Sequence, residues 1–293
     1  MKISIQVEDI EALKEAQKSD CDKIRFGSEF CEWKVLDQES LEKAYTLTKA
    51  SGKIFSFVTP RVSNIVLEKI EKQLSFLDSE EALDVVVNDF GVLNLLERFQ
   101  SLRPCLGRQL VYIPARSPWK QITRTQSSPL LKRRVEEIFY QTALNYQLTS
   151  TFFQKMGVKN IDVDWIPRCF PYFNSLIERG FNLSVHLYLI PITITRKCHT
   201  ARFLDEEKLE DCTKPCYMNP LLLKQKVLGV QFYLCGNVVF RLEEPSGRSF
   251  RRLSKKNEVE FVATMSPITK LNSKERINDL VSHLKSKVFK LWL

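Results

Sequence analysis

The chain has 293 residues, 44% of them hydrophobic and 27% charged, with a formal net charge of +9 and a pI near 9.1. That is enough apolar material for one large domain or two small ones. There is no run of eighteen apolar residues, and Met1-Lys2-Ile3-Ser4-Ile5 leads into an acidic helix pattern. A membrane-spanning helix and a secretion signal are therefore not expected, and the expected compartment is the cytoplasm. The positive charge is scattered, which suits either a solvated basic surface or an anionic partner such as RNA, a phosphorylated small molecule or an acidic protein.

In chain order, β-branched runs alternate with helical patterns. Lys2 to Val7 reads as a strand and Glu8 to Ser19 as its helix, with Ile10, Leu13 and Ala16 on one face. Strands follow at Lys23 to Phe26, Lys53 to Thr59 and Ala82 to Asn88, with helices at Ser40 to Ser51, Ile65 to Leu77 and Phe90 to Phe99. A fifth strand is expected at Cys105 to Ile113. The rhythm then breaks at 115–154, which carries Ser, Pro and Gln and the basic cluster Lys132-Arg133-Arg134, and reads as an insertion with one or two helices.

Alternation resumes with a strand at Ile161 to Trp165, a helix at Tyr172 to Arg179 and a long strand at Asn182 to Ile192. Beyond a cysteine loop at 196–216, the runs Val227 to Leu234 and Val238 to Leu242 flank Gly236-Asn237, which signals a hairpin. A charged loop around Pro245-Ser246-Gly247, a strand at Glu260 to Ala263 and a helix from Ser273 to Leu291 complete the chain. Repeated strand–helix units predict a parallel sheet, either doubly wound or closed into a barrel, in a single domain over 1–293. In a barrel, function belongs to the loops at the carboxyl ends of the strands.

Eight cysteines without a secretion signal point to ligation rather than disulfides. Cys198, Cys212 and Cys216 lie in one polar, acidic loop, and Cys31 follows the second strand. Cys31 and Cys198 would stand on the same barrel face, and the four thiols would complete a tetrahedral set. Soft thiolates suit a 4Fe–4S cluster and zinc alike. The chain lacks the tight paired Cys-x-x-Cys knuckles usual in zinc ribbons. From the residues, cluster, zinc and unligated thiols all remain open. Cys21, Cys105, Cys169 and Cys235 read as small packing residues, His199 as solvated and His186 as a core histidine.

One early cysteine after a strand, then Cys198, Cys212 and Cys216 late in the chain, resembles the collagenase-like peptidase family U-32, and within it the short, UbiV-type branch. The resemblance implies a TIM-like or incomplete β/α barrel with a C-terminal β-hairpin and helix. It implies a 4Fe–4S cluster on Cys31, Cys198, Cys212 and Cys216. It implies oxygen-independent hydroxylation of an aromatic quinone precursor in ubiquinone biosynthesis, as one subunit of a heterodimer with a longer, UbiU-like protein. Hydroxylation of a tRNA or rRNA pyrimidine is the task of other branches, whose members are longer. A zinc-stabilised, non-enzymatic scaffold is the remaining alternative.

Peptidase activity is not expected, because no Ser-His-Asp or Cys-His order suggests a hydrolase; nor is there a His-Glu-x-x-His, a Gly-x-Gly-x-x-Gly or a P-loop. Asp162 and Asp164 lie two apart on one strand face, where they could form an acid–base pair or be inward carboxylates held by Arg or Lys. Asn88-Asp89-Phe90-Gly91 is similar to a motif of the family after the fourth strand, which implies a pocket-lining place for Asn88 and Asp89.

Overall fold

The computed structural model describes residues 1–81, 83–118, 128–204, 209, 212–213, 216, 219–226, 229–245 and 247–289. Eight parallel strands close into a barrel: β1 (Lys2–Val7), β2 (Lys23–Phe26), β3 (Ile54–Val58), β4 (Leu83–Val87), β5 (Leu102–Leu106), β6 (Asn160–Asp164), β7 (Asn182–His186) and β12 (Val259–Thr264). They run in this order around the barrel, and β12 pairs with both β7 and β1 to close it. The fold is therefore a TIM-like β/α barrel. Its period-2 pattern divides the strands cleanly. Ile3, Ile5, Ile24, Phe26, Phe55, Val85, Ile161, Val163, Val185 and Phe261 join the main apolar core. The alternate residues face the lumen and are mostly polar, apart from a small cluster of Val58, Val86 and Cys105.

The outer layer comprises α1 (Ile10–Gln17), α2 (Gln38–Ala50), α3 (Asn64–Glu80), α4 (Phe90–Leu96), α5 (Pro129–Tyr140), α6 (Gln147–Lys155), α7 (Phe170–Glu178), α9 (Gly247–Leu253) and α10 (Lys274–Phe289), while the short α8 (His199–Phe203) follows the second sheet's first strand. Asp9 and Asp37 cap α1 and α2 by accepting from Ala12 N at 2.7 Å and Ser40 N at 2.7 Å, which satisfies orphan donors of the first turn. Between β7 and β12 the chain builds that second, antiparallel sheet in the order β8-β11-β10-β9, from β8 (Tyr188–Ile194), β9 (Leu221–Gln225), β10 (Val230–Cys235) and β11 (Val238–Glu243).

Three boundaries differ from the sequence expectation. The fifth strand is Leu102–Leu106, because the chain turns away at Gly107; Pro104 is tolerated where the ladder to β6 begins only at Cys105. The long strand expected from Asn182 to Ile192 is two strands in two sheets, broken at Tyr188, whose φ of 68° bends the chain out of the barrel. The loop expected around Gly247 opens directly into α9. The expected hairpin is present, with Cys235 opposite Val238. Gly236 takes φ 63° while Asn237 is not left-handed, the pattern of a type II′ turn, which places Gly first.

Phe30, Leu189, Val238, Phe240 and Ile268 form a separate apolar cluster that seats the second sheet over the carboxyl ends of β2, β7 and β12. Phe30 and Phe240 meet edge to face at 5.3 Å. The sheet therefore covers part of the barrel mouth. Among the described residues, no helix is long and apolar enough to cross a membrane.

Candidate functional site

The lumen is filled by ion pairs that reach across the barrel. At its centre Arg25 from β2 binds Asp162 of β6, which also contacts His186 Nε2 at 3.0 Å and accepts from Cys105 Sγ at 3.5 Å. Toward the carboxyl end Arg108 donates to Glu29 Oε1 at 2.8 Å, to Asp164 Oδ1 at 2.9 Å and to the Leu189 carbonyl at 2.7 Å. Arg116 completes the hold on Asp164 and donates to the carbonyls of Arg108 and Val111. Toward the amino end Lys23 sits 2.9 Å from Glu260 and 3.6 Å from Asp84.

Asp162 and Asp164 are 0% exposed, and Arg25, Arg108 and Arg116 each 1%. Burial pushes the Asp162 carboxyl up, but Arg25 and His186 outweigh it and hold the group below the usual carboxylate range. Asp164 is depressed in the same way by Arg116 and Arg108. His186 is pushed down by burial and by Arg108, so it is neutral near pH 7. Both aspartates are thus ionised and fully engaged by cations, and the geometry gives them a binding and bracing role in the lumen.

Asn88 is equally committed: its amide donates to the Thr59 carbonyl at 2.8 Å and its oxygen accepts from Gln109 N at 3.0 Å. A Cβ at Gly107 would lie 2.2 Å from that oxygen, so glycine there lets the two loops meet. Asp89 caps α4, accepting from Gly91 N at 2.6 Å. Asn88 and Asp89 brace the loops after β3, β4 and β5.

The rim outside this network carries the cysteines. Gly27, with φ 126° and its missing Cβ within 2.2 Å of the Val58 carbonyl, turns the chain out of β2 toward Cys31. Cys198 precedes α8 and its sulfur accepts from Ala201 N at 3.3 Å. The β10–β11 turn ties these loops together: Asn237 donates to the carbonyls of Phe30 and Thr195, each at 2.8 Å, and Thr200 N donates to the Gly236 carbonyl at 3.0 Å. Cys31 and Cys198 consequently line one pocket with Trp33, Arg61 and Arg196.

Cys216 is buried beside the same turn, 3.7 Å from where a Cβ at Gly236 would stand. Cys235 donates to the Cys216 carbonyl at 3.2 Å. Lys34, paired with Glu8 at 2.9 Å, lies among these thiols. Burial works against its charge, but Glu8, Cys235 and Cys216 outweigh that and raise its pKa. Burial pushes the Cys31 thiol up to about 12, whereas the hydrogen bond with Cys235 and the charge of Lys34 lower that of Cys216. Cys198 senses both Cys216 and Cys212 electrostatically.

Cys31 and Cys198 thus share one pocket, and Cys216 and Cys212 are near enough to act electrostatically on Cys198. Among the described residues no three Cys, His, Asp or Glu side chains already stand as a metal-binding group. As donors the four cysteines suit soft iron or zinc, since all four are thiols, and buried Lys34 stands near Cys31 and Cys216 to offset thiolate charge there. Positions 205–208, 210–211 and 214–215 of the cysteine loop lie outside the described residues. Cys21, Cys105 and Cys169 are buried packing residues, but Cys235 belongs to the rim.

Sequence reasoning did not single out Arg25, Arg108 or Lys34. The signal for Arg25 was a charged residue at an alternate position of an apolar strand. Arg108 sits in a loop, where a charge is unremarkable until the barrel closes.

No family model and no curated protein matches the chain. Among solved structures it is similar to the U32 peptidase Mk0906, at 14% identity and a TM-score of 0.47, covering 91% of this chain and 93% of that one. It is also similar to the Bacillus cereus spore cortex-lytic enzyme SleL, at 10% identity and a TM-score of 0.41, over 94% and 73% of the two chains. A third is dihydropteroate synthase from Thermus thermophilus, at 10% identity and a TM-score of 0.41, over 98% and 93%. At these values the similarities assign neither a family nor an activity.

Proposed function

We propose that this chain is an iron–sulfur protein of the peptidase U-32 type, with Cys31, Cys198, Cys212 and Cys216 as the thiolates that hold a 4Fe–4S cluster. In this reading it serves oxygen-independent hydroxylation of an aromatic quinone precursor in ubiquinone biosynthesis, as one subunit of a heterodimer with a longer, UbiU-like relative. The observation that carries the reading is the meeting of Cys31 and Cys198, 167 positions apart in sequence, in one pocket at the barrel rim.

When bound, the cluster would supply one-electron chemistry beside that pocket. The chain's own residues do the rest. Asn237 fixes the spacing of the two loops, Lys34 offsets the charge of the thiolates, and Trp33 offers a ring face. Arg61 and Arg196 bring two cations to the pocket against the one carboxylate of Glu32. The second sheet is seated over the barrel mouth, and the lumen carboxylates stay paired.

The test is an anaerobic assay of the wild type and Cys198→Ala, each mixed with the UbiU-like partner, an aromatic quinone precursor and a two-electron acceptor, with water as the oxygen source. The wild-type mixture should yield hydroxylated ring and the variant none, at equal amounts of folded protein. Equal activity of the two, or turnover only of RNA pyrimidines, would overturn the assignment.

A further inference from the structure

The sequence offered four cysteines for the rim, but the fold delivers five. Cys235 is the last residue of β10, directly before the Gly236-Asn237 turn. It lines a cavity with Cys31, Lys34 and Arg108 on one side, and a groove with Cys216, Lys34 and Glu8 on the other. Its sulfur reaches the Cys216 carbonyl at 3.2 Å. It is therefore the thiol that stands between Cys31 and Cys216.

Its support is also firm. Residues on strands hold a site more tightly than residues on loops, and β10 is paired on both sides, to β9 through five residue pairs and to β11 through three. The adjacent Asn237 binds the carbonyl of Phe30, one residue before Cys31, and that of Thr195, three before Cys198. Cys235 is thus held in a fixed relation to two of the sequence-selected thiols. Cys212, by contrast, lies fourteen positions beyond Cys198 in the loop, with its backbone held by Leu209 at 3.2 Å.

We infer that Cys235 is a fifth thiol of the metal site, able to take the place of Cys212 as an iron ligand. The inference rests on the cluster reading above. A thiol on the inner wall replaces one contributed by the loop, and the site keeps four sulfurs when Cys212 is removed. Lys34, in contact with Glu8 and 7% exposed at its side chain, offsets the thiolate charge in either arrangement.

The test uses the full chain as wild type, Cys198→Ala, Cys212→Ala, Cys235→Ala and the Cys212→Ala/Cys235→Ala double variant. Each is reconstituted anaerobically with ferrous iron and sulfide, then read by iron and sulfide analysis and by electron paramagnetic resonance of the reduced protein. Thermal melting of the apoproteins confirms that all are folded. Cys212→Ala should retain roughly half or more of the wild-type iron with altered g values, and the double variant less than about a tenth. Cys235→Ala should keep its iron, because the original four thiols remain. Cys212→Ala as empty as Cys198→Ala, or a double variant that holds as much iron as Cys212→Ala, would overturn the role of Cys235 while leaving the cluster reading intact. A wild type that takes up no iron would remove both.

Discussion

The lumen and the rim of this barrel handle charge in opposite ways. In the lumen, buried Arg25, Arg108 and Arg116 are matched against Asp162, Asp164 and Glu29, and each carboxylate has its cation. At the rim, thiols gather around a lysine, and Cys31 and Cys198 are held above the ordinary thiol pKa by burial. The lumen's charges are paired, with Arg25 Nε and His186 Nδ1 left as buried nitrogens without a hydrogen-bond partner among the described residues, whereas the rim gathers thiols that a soft metal would use. Ionisable residues in a barrel are therefore not catalytic merely by facing inward; the donor type separates the two regions.

The strongest way to break this contrast is to remove a lumen carboxylate. Asp162→Ala leaves His186 without its partner and buried Arg25 with only Glu260 at 3.7 Å, and should cost about 3–5 kcal/mol, read as a lower urea midpoint. An unchanged midpoint would mean that the lumen is not the structural half. Gly27→Ala should cost about 1–3 kcal/mol in the same assay, because the added Cβ would meet the Val58 carbonyl at 2.2 Å and the backbone has φ 126°.

Acid sharpens the contrast further. His186 has a folded pKa below its unfolded value of about 6.5, so the unfolded chain binds the proton first and stability should fall as pH drops below that value. Asp162, Asp164 and Glu260 are also depressed. Their contribution is complete above about pH 4 and is lost as pH falls through their folded values. Urea midpoints from pH 7 to 3 should show two successive declines. In His186→Gln the first decline should be much reduced.

The smallest effect on stability belongs to the rim. Cys198→Ala should shift the apoprotein by no more than about 1 kcal/mol, since the half-buried sulfur only accepts from Ala201 N at 3.3 Å. A large loss in the urea midpoint would make Cys198 a packing residue rather than a held-ready donor.

Much of the barrel was legible because its strands alternate a core-facing apolar residue with a lumen-facing one. Lys2–Val7, Lys23–Phe26 and the run from Ile161 stand where the pattern placed them. The pattern failed where the chain changes sheets. The residues Asn182 to Ile192 look continuous, and only the left-handed backbone of Tyr188 divides them. Pro104 hid the start of β5, because a proline argues against a strand; here it pairs with Val85 of β4 and lies before the ladder to β6 begins.

At the site, cysteine spacing identified four thiols, but Cys235 looked like any apolar strand residue. Its place beside Cys216 depends on a hairpin that crosses back to the barrel mouth, which no local pattern contains. The same holds for Arg108 and Arg116. They are far from Glu29 and close to one another in sequence, and only barrel closure reveals them as partners.

The central claim is that the rim thiols hold an iron–sulfur cluster. Its most direct test is anaerobic purification of the wild type and of Cys31→Ala, with visible absorption spectra and iron, sulfide and zinc analysis. The account predicts a broad absorption shoulder with about four irons and four sulfides per chain in the wild type, and loss of both in the variant. A colourless wild type carrying stoichiometric zinc would contradict it.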